Sequence, residues 1–256
     1  MNKSASTLAP PDLQRELAQA SNAQRARNLA WFFKTGKGEY GEGDEFLGIT
    51  VPVLRKIAKR YTHLRLADVR KLLHSRLHEH RFTALEILVF QYEAGDDDTK
   101  RKLFEFYLKQ ARWINNWDLV DTSAPYIVGE YLASRPRDVL YRLAKSPNVW
   151  ERRIAIVATA AFIKGDDLKD TFGISVLLLK DKHDLIHKAV GWMLREAGKL
   201  SQPALLKFLE QNYSIMPRTA LRYAIERIPE TQRRRILKGV FGKTAGQQAT
   251  ERASAP

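Results

Sequence analysis

Residues 81–90 read RFTALEILVF and residues 117–126 read WDLVDTSAPY. The same form, a basic or aromatic residue ahead of a largely apolar block, returns as RIAIVATAAF at 153–162, KAVGWMLREA at 188–197 and RTALRYAIER at 218–227. The five blocks start 36, 36, 35 and 30 residues apart. Their apolar residues recur every three to four positions, the period of a helix, and no run alternates with the period of two that marks a strand. A period of about 35 to 40 residues built from two helices is the signature of an α-solenoid of the HEAT, armadillo or TPR kind. The expected fold is therefore all-α, an α-solenoid of HEAT-like helix-pair repeats with a concave basic face.

Working outward, Leu13, Leu17, Ala20, Leu29, Phe32 and Phe33 fit helix between Asp12 and Lys34, broken near Ser21 and Asn22. The next stretch, GKGEYGEGDEF at 36–46, is dense in turn-forming residues and predicts a mobile loop. Gly48 and Pro52 then open a helix over 51–61. Beyond it, short polar breaks separate about a dozen helices, close enough in sequence to make consecutive ones antiparallel neighbours. Residues 1–11 are small, polar and proline-containing, and 241–256 carry no apolar period. Both are expected to be disordered tails around a single repeat domain at 12–240.

The chain has 256 residues, 44% hydrophobic and 28% charged, with 43 Lys and Arg against 29 Asp and Glu for a net charge of +14. The basic excess persists along the chain, and such a field attracts a polyanion, nucleic acid ahead of a membrane surface. There is no cysteine, which excludes disulfides, thiolate zinc sites and cysteine nucleophiles. No stretch approaches the roughly 18 apolar residues that span a bilayer, and no leader-like segment opens the chain, so a cytoplasmic location is expected.

Counting each block's first residue as zero, positions zero, four and seven fall on one helix face. That stripe reads Arg81, Leu85, Leu88; Trp117, Asp121, Ala124; Arg153, Val157, Ala160; Lys188, Trp192, Arg195; and Arg218, Arg222, Ile225. Positions one, two, five and six are mostly apolar and predict the core. Stacked repeats would set Trp117 and Asp121 on the same groove as Arg153, Trp192 and Arg195. Asp121 is a carboxylate on a face of cations, where it repels phosphate; it suits a site that meets a cation, as do indole rings. The plainer reading pairs Asp121 with Arg153 of the adjacent repeat and makes Trp117 and Trp192 half-buried packing residues.

The segments NNWDLVD (115–121), NVWERRIAI (148–156) and HKAVGWMLRE (187–196), with FLGITVPVLRKIAK (46–59), resemble the AlkD-like family of bacterial DNA alkylation repair glycosylases. The resemblance runs in order over residues 13–237. It implies a HEAT-like fold that acts in base excision repair on double-stranded DNA containing alkylated bases, removing purines alkylated at N3 or N7. It carries the family's catalytic Asp onto Asp121, the flanking Trp residues onto Trp117 and Trp192, and DNA-contacting Arg residues onto Arg153 and Arg195. Where the family often has a tyrosine near the lesion, the matching position here is Phe32, with the ring kept and the hydroxyl lost. Further phosphate contacts are expected from Lys188, Arg218 and Arg222, and the helix Val53 to Arg81, with nine Lys or Arg against two acids, is a candidate outer basic ridge. The family setting implies a bacterial, nucleoid-associated monomer.

An N3- or N7-alkylated purine already carries positive charge and leaves without protonation. As its bond to the sugar lengthens, a fixed carboxylate stabilises the oxocarbenium-like charge. His74 and His78, like His183 and His187, are four apart, a spacing that can hold a metal, but no trusted carboxylate completes either pair. They are expected to be surface or hydrogen-bonded histidines, and neither metal nor other cofactor is expected. The loop at 36–46 lacks the Gly-Lys-Ser/Thr ending of a phosphate loop. A strand-nicking lyase would need an amine, and Lys188 is the only lysine on the stripe. The competing class is a non-catalytic helical-repeat module that binds damaged or branched DNA, or a protein partner.

Overall fold

The computed structural model describes residues 9–241. Among these the chain is helical from end to end, with no strand and a single bridge, between Glu45 and Leu77. The expected tails largely fall at 1–8 and 242–256, outside the described residues. Helix α1 (Pro10–Gln19) starts within the stretch read as tail, because prolines in the first turn lose no helical hydrogen bond and Asp12 caps the Ala9 N–H at 3.0 Å. Phe241, read as tail, lies edge-on to Tyr213 with ring centres 5.5 Å apart.

The chain divides into two compact units, the first ending at Gly165 and the second beginning at Asp166. In the first, α2 (Ala23–Phe32) is followed by the 36–46 turns, then α3 (Val51–Ala58), α4 (Leu66–Leu73), α5 (His78–Ala94) and α6 (Asp97–Lys109). Next come α7 (Trp117–Asp121), a π-helical turn over Pro125–Gly129, α8 (Glu130–Leu132), α9 (Asp138–Leu143), α10 (Val149–Val157) and α11 (Ala160–Lys164). Polar caps start many of them: Asn22, Asp96 and Asn148 each accept an N–H from the first turn they precede. Helix α5 packs on α3, α4 and α6, and α10 on α7 and α9, so long helices touch both their pair partner and the equivalent helix of a neighbouring repeat. Leu54, Leu72, Leu85, Leu88, Leu119 and Ile154 fill this core, each fully buried aliphatic side chain contributing about 1.5 to 3 kcal/mol.

In the second unit α12 (Lys169–Leu178), α13 (Asp184–Leu200), α14 (Gln202–Asn212), α15 (Arg218–Ala224) and α16 (Glu230–Leu237) follow the same alternation. Helix α13 packs on α12, α14 and most closely on α15. That approach needs Gly191, where a Cβ would stand 2.5 Å from the Ala220 carbonyl oxygen and from the Tyr223 Cβ. No described helix is long and apolar enough to cross a membrane.

Two expectations are corrected. The zero-four-seven stripe is not an exposed face throughout: Arg81, Leu85 and Leu88 are all buried, because α5 is covered on nearly every side. The stretch from Val53 to Arg81 is not one basic ridge but α3, α4 and the start of α5, with Arg81 sealed inside.

Candidate functional site

Helix α7 is only five residues long and is placed by what precedes and follows it. Asn116, fully buried, caps it by accepting the Trp117 N–H at 2.8 Å. Pro125, which lacks an N–H, falls where the backbone widens into the π turn. At the end of α7 stands Asp121. Arg153 from α10 grips it in a fork, Nε donating to Oδ1 at 2.8 Å and the guanidinium NH2 to Oδ2 at 2.7 Å. The pairing that the sequence offered as the plainer reading is therefore present.

The Arg153 side chain is sealed, whereas that of Asp121 keeps 18% of its surface exposed. Burial raises the Asp121 carboxyl above the ordinary carboxylate range, the Arg153 charge and hydrogen bonds pull it down, and Asp118 adds to the rise. The net direction is upward. Such an aspartate is a reachable carboxylate with a counter-charge fixed behind it.

Behind α7 lies a buried network invisible in any local pattern. Asp44, at the end of the 36–46 turns, pairs with Arg81 at 2.7 Å, and His78 donates to Asp118 at 2.7 Å while its other ring nitrogen lies 3.6 Å from Asp44. Burial alone would depress His78, but the adjacent Asp118 and the Asp44 bond raise it to about 9. Asp44 is also affected by burial, which raises it, but His78 and Arg81 outweigh that and hold it low. With His78 protonated, two acids and two cations balance. The 36–46 segment, read as a mobile loop, is thus pinned at its end, and Tyr40 within it meets Trp150 edge-on at 6.2 Å.

Aromatic rings complete this side. Phe33 stacks on Phe46 and on Trp117 with centres 5.2 Å apart in both pairs, and His78 lies 4.7 Å from Phe46. Phe32 touches the Trp117 ring edge-on at 5.9 Å and remains half exposed. Its neighbour Trp31, not singled out from the sequence, is 84% exposed, the highest value among the exposed large apolar side chains.

The residue after Asp121 opens onto a hollow of about 530 Å³ lined by Arg55, Lys56, Lys59, Glu86, Phe90 and Tyr126. Thr122 donates to buried Glu86 at 2.6 Å, and Arg55 donates to the same carboxylate oxygen at 3.1 Å. Among the sequence candidates, then, the first unit brings together Phe32, Trp117, Asp121 and Arg153.

The others belong to the second unit. On α13, Trp192 is half-buried, Lys188 pairs with Asp184 at 2.8 Å, and Arg195 is held by Glu196 and Glu226. On α15, Arg218 donates to the Leu237 carbonyl at 3.0 Å, and Arg222 is exposed. Of the spaced histidines, His74 bonds the Gln110 side chain at 2.7 Å and His187 the Asp181 carbonyl at 2.6 Å. No cluster of three or more metal-binding side chains occurs among the described residues.

Asp44, His78 and Asp118 were missed because their partners lie tens of residues away and carry no periodic mark. The one available signal was a histidine and an arginine three apart, His78 and Arg81, each of which needs an acid once α5 is buried.

Fold and site together define a class: helical-repeat proteins with a mostly buried but reachable carboxylate, forked by arginine, beside a ring stack. The chain belongs to the DNA alkylation repair enzyme family, whose model matches residues 13–228. A solved structure titled a predicted DNA alkylation repair enzyme from Enterococcus faecalis shares the fold, with a TM-score of 0.64 and 15% identity over 82% of this chain and 97% of that one. No curated protein matches the chain.

Proposed function

We propose that the protein is a monofunctional DNA glycosylase that excises positively charged N3- or N7-alkylated purines from duplex DNA. The observation that carries this is the Asp121 carboxylate, held in place by Arg153 yet still open to solvent. A lesion base carrying a formal positive charge departs as a neutral purine, taking the electron pair of the N-glycosidic bond. Positive charge builds on the deoxyribose, and Asp121 stabilises it across a short distance. A water oxygen then bonds to the anomeric carbon and releases a proton, leaving an abasic site. Arg153 acts as the positioning residue, fixing the carboxylate's geometry and favouring its ionised form.

In this reading Trp117 and Phe32 form an aromatic wall for the cationic base or the sugar, each contact contributing about 0.5 to 2 kcal/mol. Trp192, Lys188, Arg195, Arg218 and Arg222 supply contacts to DNA from the second unit. The partner is double-stranded DNA bearing alkylated bases, bound by a monomer, and no cofactor enters the reaction. The basic net charge supports such a partner.

The test is single-turnover release of 7-methylguanine from a duplex with one lesion, comparing the native chain with Asp121→Asn. Release by the native chain, with at least a hundredfold loss in Asp121→Asn and unchanged DNA affinity, supports the carboxylate's role. A second reading is favoured by the fork itself, since a bidentate pair is also a structural tie between α7 and α10: the chain would then be a non-catalytic module on damaged or branched DNA. Binding without base release by the native chain would establish that reading instead.

A further inference from the structure

Away from Asp121, a second hollow of about 520 Å³ lies between the end of α4 and the end of α6. It is lined by Arg70, Lys71, His74, Lys109, Gln110, Arg112 and Trp113, with no carboxylate in its wall. Other cations here are neutralised: Lys71, in the wall of the hollow, shares Asp68 with Arg65, and Arg101 and Lys102 on α6 share Asp98. Arg70, Lys109 and Arg112 instead have no carboxylate partner among the described residues, although all three are exposed. Unpaired like charges gathered round one hollow repel each other unless an anion sits among them.

The hollow is also built. His74 stacks on Trp113 with centres 4.3 Å apart and anchors on Gln110, and the Arg112 guanidinium lies 5.2 Å from the same indole. The ring is thereby occupied, so the hollow offers N–H donors and not a free platform for a base. Guanidinium and ammonium groups without a free ring select a phosphate.

We propose that this hollow is a second anion site, holding a backbone phosphate of the duplex on which the Asp121 site acts. The proposal rests on the DNA-repair reading above and adds a contact off the repeat stripe; of its cations, Arg70 and Lys71 fall in the stretch first read as a basic ridge, and Lys109 and Arg112 lie outside it. Its position, four residues before Trp117 in the segment that leads into α7, ties the grip on the backbone to the element that carries Asp121. The hollow then contributes affinity, and no base discrimination.

The experiment measures binding of an undamaged duplex of about 20 base pairs across a salt series, and base release from the lesion duplex at saturating protein. Arg70→Ala with Arg112→Ala is expected to lower the slope of log affinity against log salt by about two, and to weaken binding roughly tenfold at moderate salt. The saturating single-turnover rate should be unchanged. Arg101→Ala with Lys102→Ala removes the same charge elsewhere and should leave the slope within about half a unit. Arg70→Lys with Arg112→Lys should restore most of it, and equal melting temperatures exclude misfolding. An unchanged slope in the alanine pair, or an equal drop in the Arg101 and Lys102 control, overturns the site. A reduced slope with no base release from the native chain leaves this site standing and removes the glycosylase reading; base release with an unchanged slope does the reverse.

Discussion

Arg153 and Asp121 were readable from sequence as neighbours, since each occupies a block start or its fourth position in adjacent repeats. What the sequence did not give was the fork's geometry, or that one partner is sealed and the other reachable. The consequence lies in pH dependence. Burial raises the Asp121 carboxyl, and the Arg153 charge and hydrogen bonds oppose that rise. A reaction that needs the ionised carboxylate therefore loses rate as pH falls through a value above the ordinary 3.8. Arg153→Gln removes the counter-charge, so the acid limb of the single-turnover profile should move to higher pH and the maximal rate should drop. A limb that stays where the native chain has it would show that the arginine does not tune the carboxylate.

At the level of elements, the helices were legible because burial on one side imprints a period, and the network joining them was not. Asp44 looked like a solvated turn acid amid GEYGEGDEF, and His78 like half of a spaced pair. Their partners, Arg81 and Asp118, are supplied by folding. The raised His78 stabilises the fold fully below about pH 6.5, and this contribution is lost as pH rises through about 9. Denaturant unfolding at pH 6 and pH 9.5 should differ by up to about 3 kcal/mol from this group, and Asp118→Asn should flatten the dependence while lowering stability at pH 6. A second prediction concerns the π turn. A Cβ at Gly129 would stand 2.3 Å from the Ala158 carbonyl oxygen and 2.8 Å from the Ala161 Cβ. Gly129→Ala should therefore cost about 1 to 3 kcal/mol by forcing α11 away, measurable as a lower denaturant midpoint; a variant as stable as the native chain would mean the two segments part easily.

Across the whole molecule, the period of 36, 36, 35 and 30 residues carried the fold class, because repeated helix pairs must bury their faces on one another. The phase of the exposed stripe was less secure. It presumed one buried side per helix, and Arg81, Leu85 and Leu88 on central α5 have none exposed. The stripe held best at α13, where Lys188, Trp192 and Arg195 all keep partial exposure, and in part at α7, where Trp117 and Asp121 do but Ala124 is buried. Overall charge is better placed to forecast binding than any one position: with a net charge of +14, affinity for undamaged duplex should fall steeply and linearly in log salt. A flat salt dependence in a binding titration would rule out a phosphate-led interaction.

Trp31 gives the chain a built-in optical reporter. An indole with 84% of its surface in water emits at the red end of tryptophan fluorescence and is open to a collisional quencher such as iodide, whereas fully packed indoles such as Trp150 are shielded. Because Trp31 immediately precedes Phe32 on α2, and Phe32 touches the Trp117 ring, a ligand arriving there would shield it, and the loss of quenching could be followed without any attached dye.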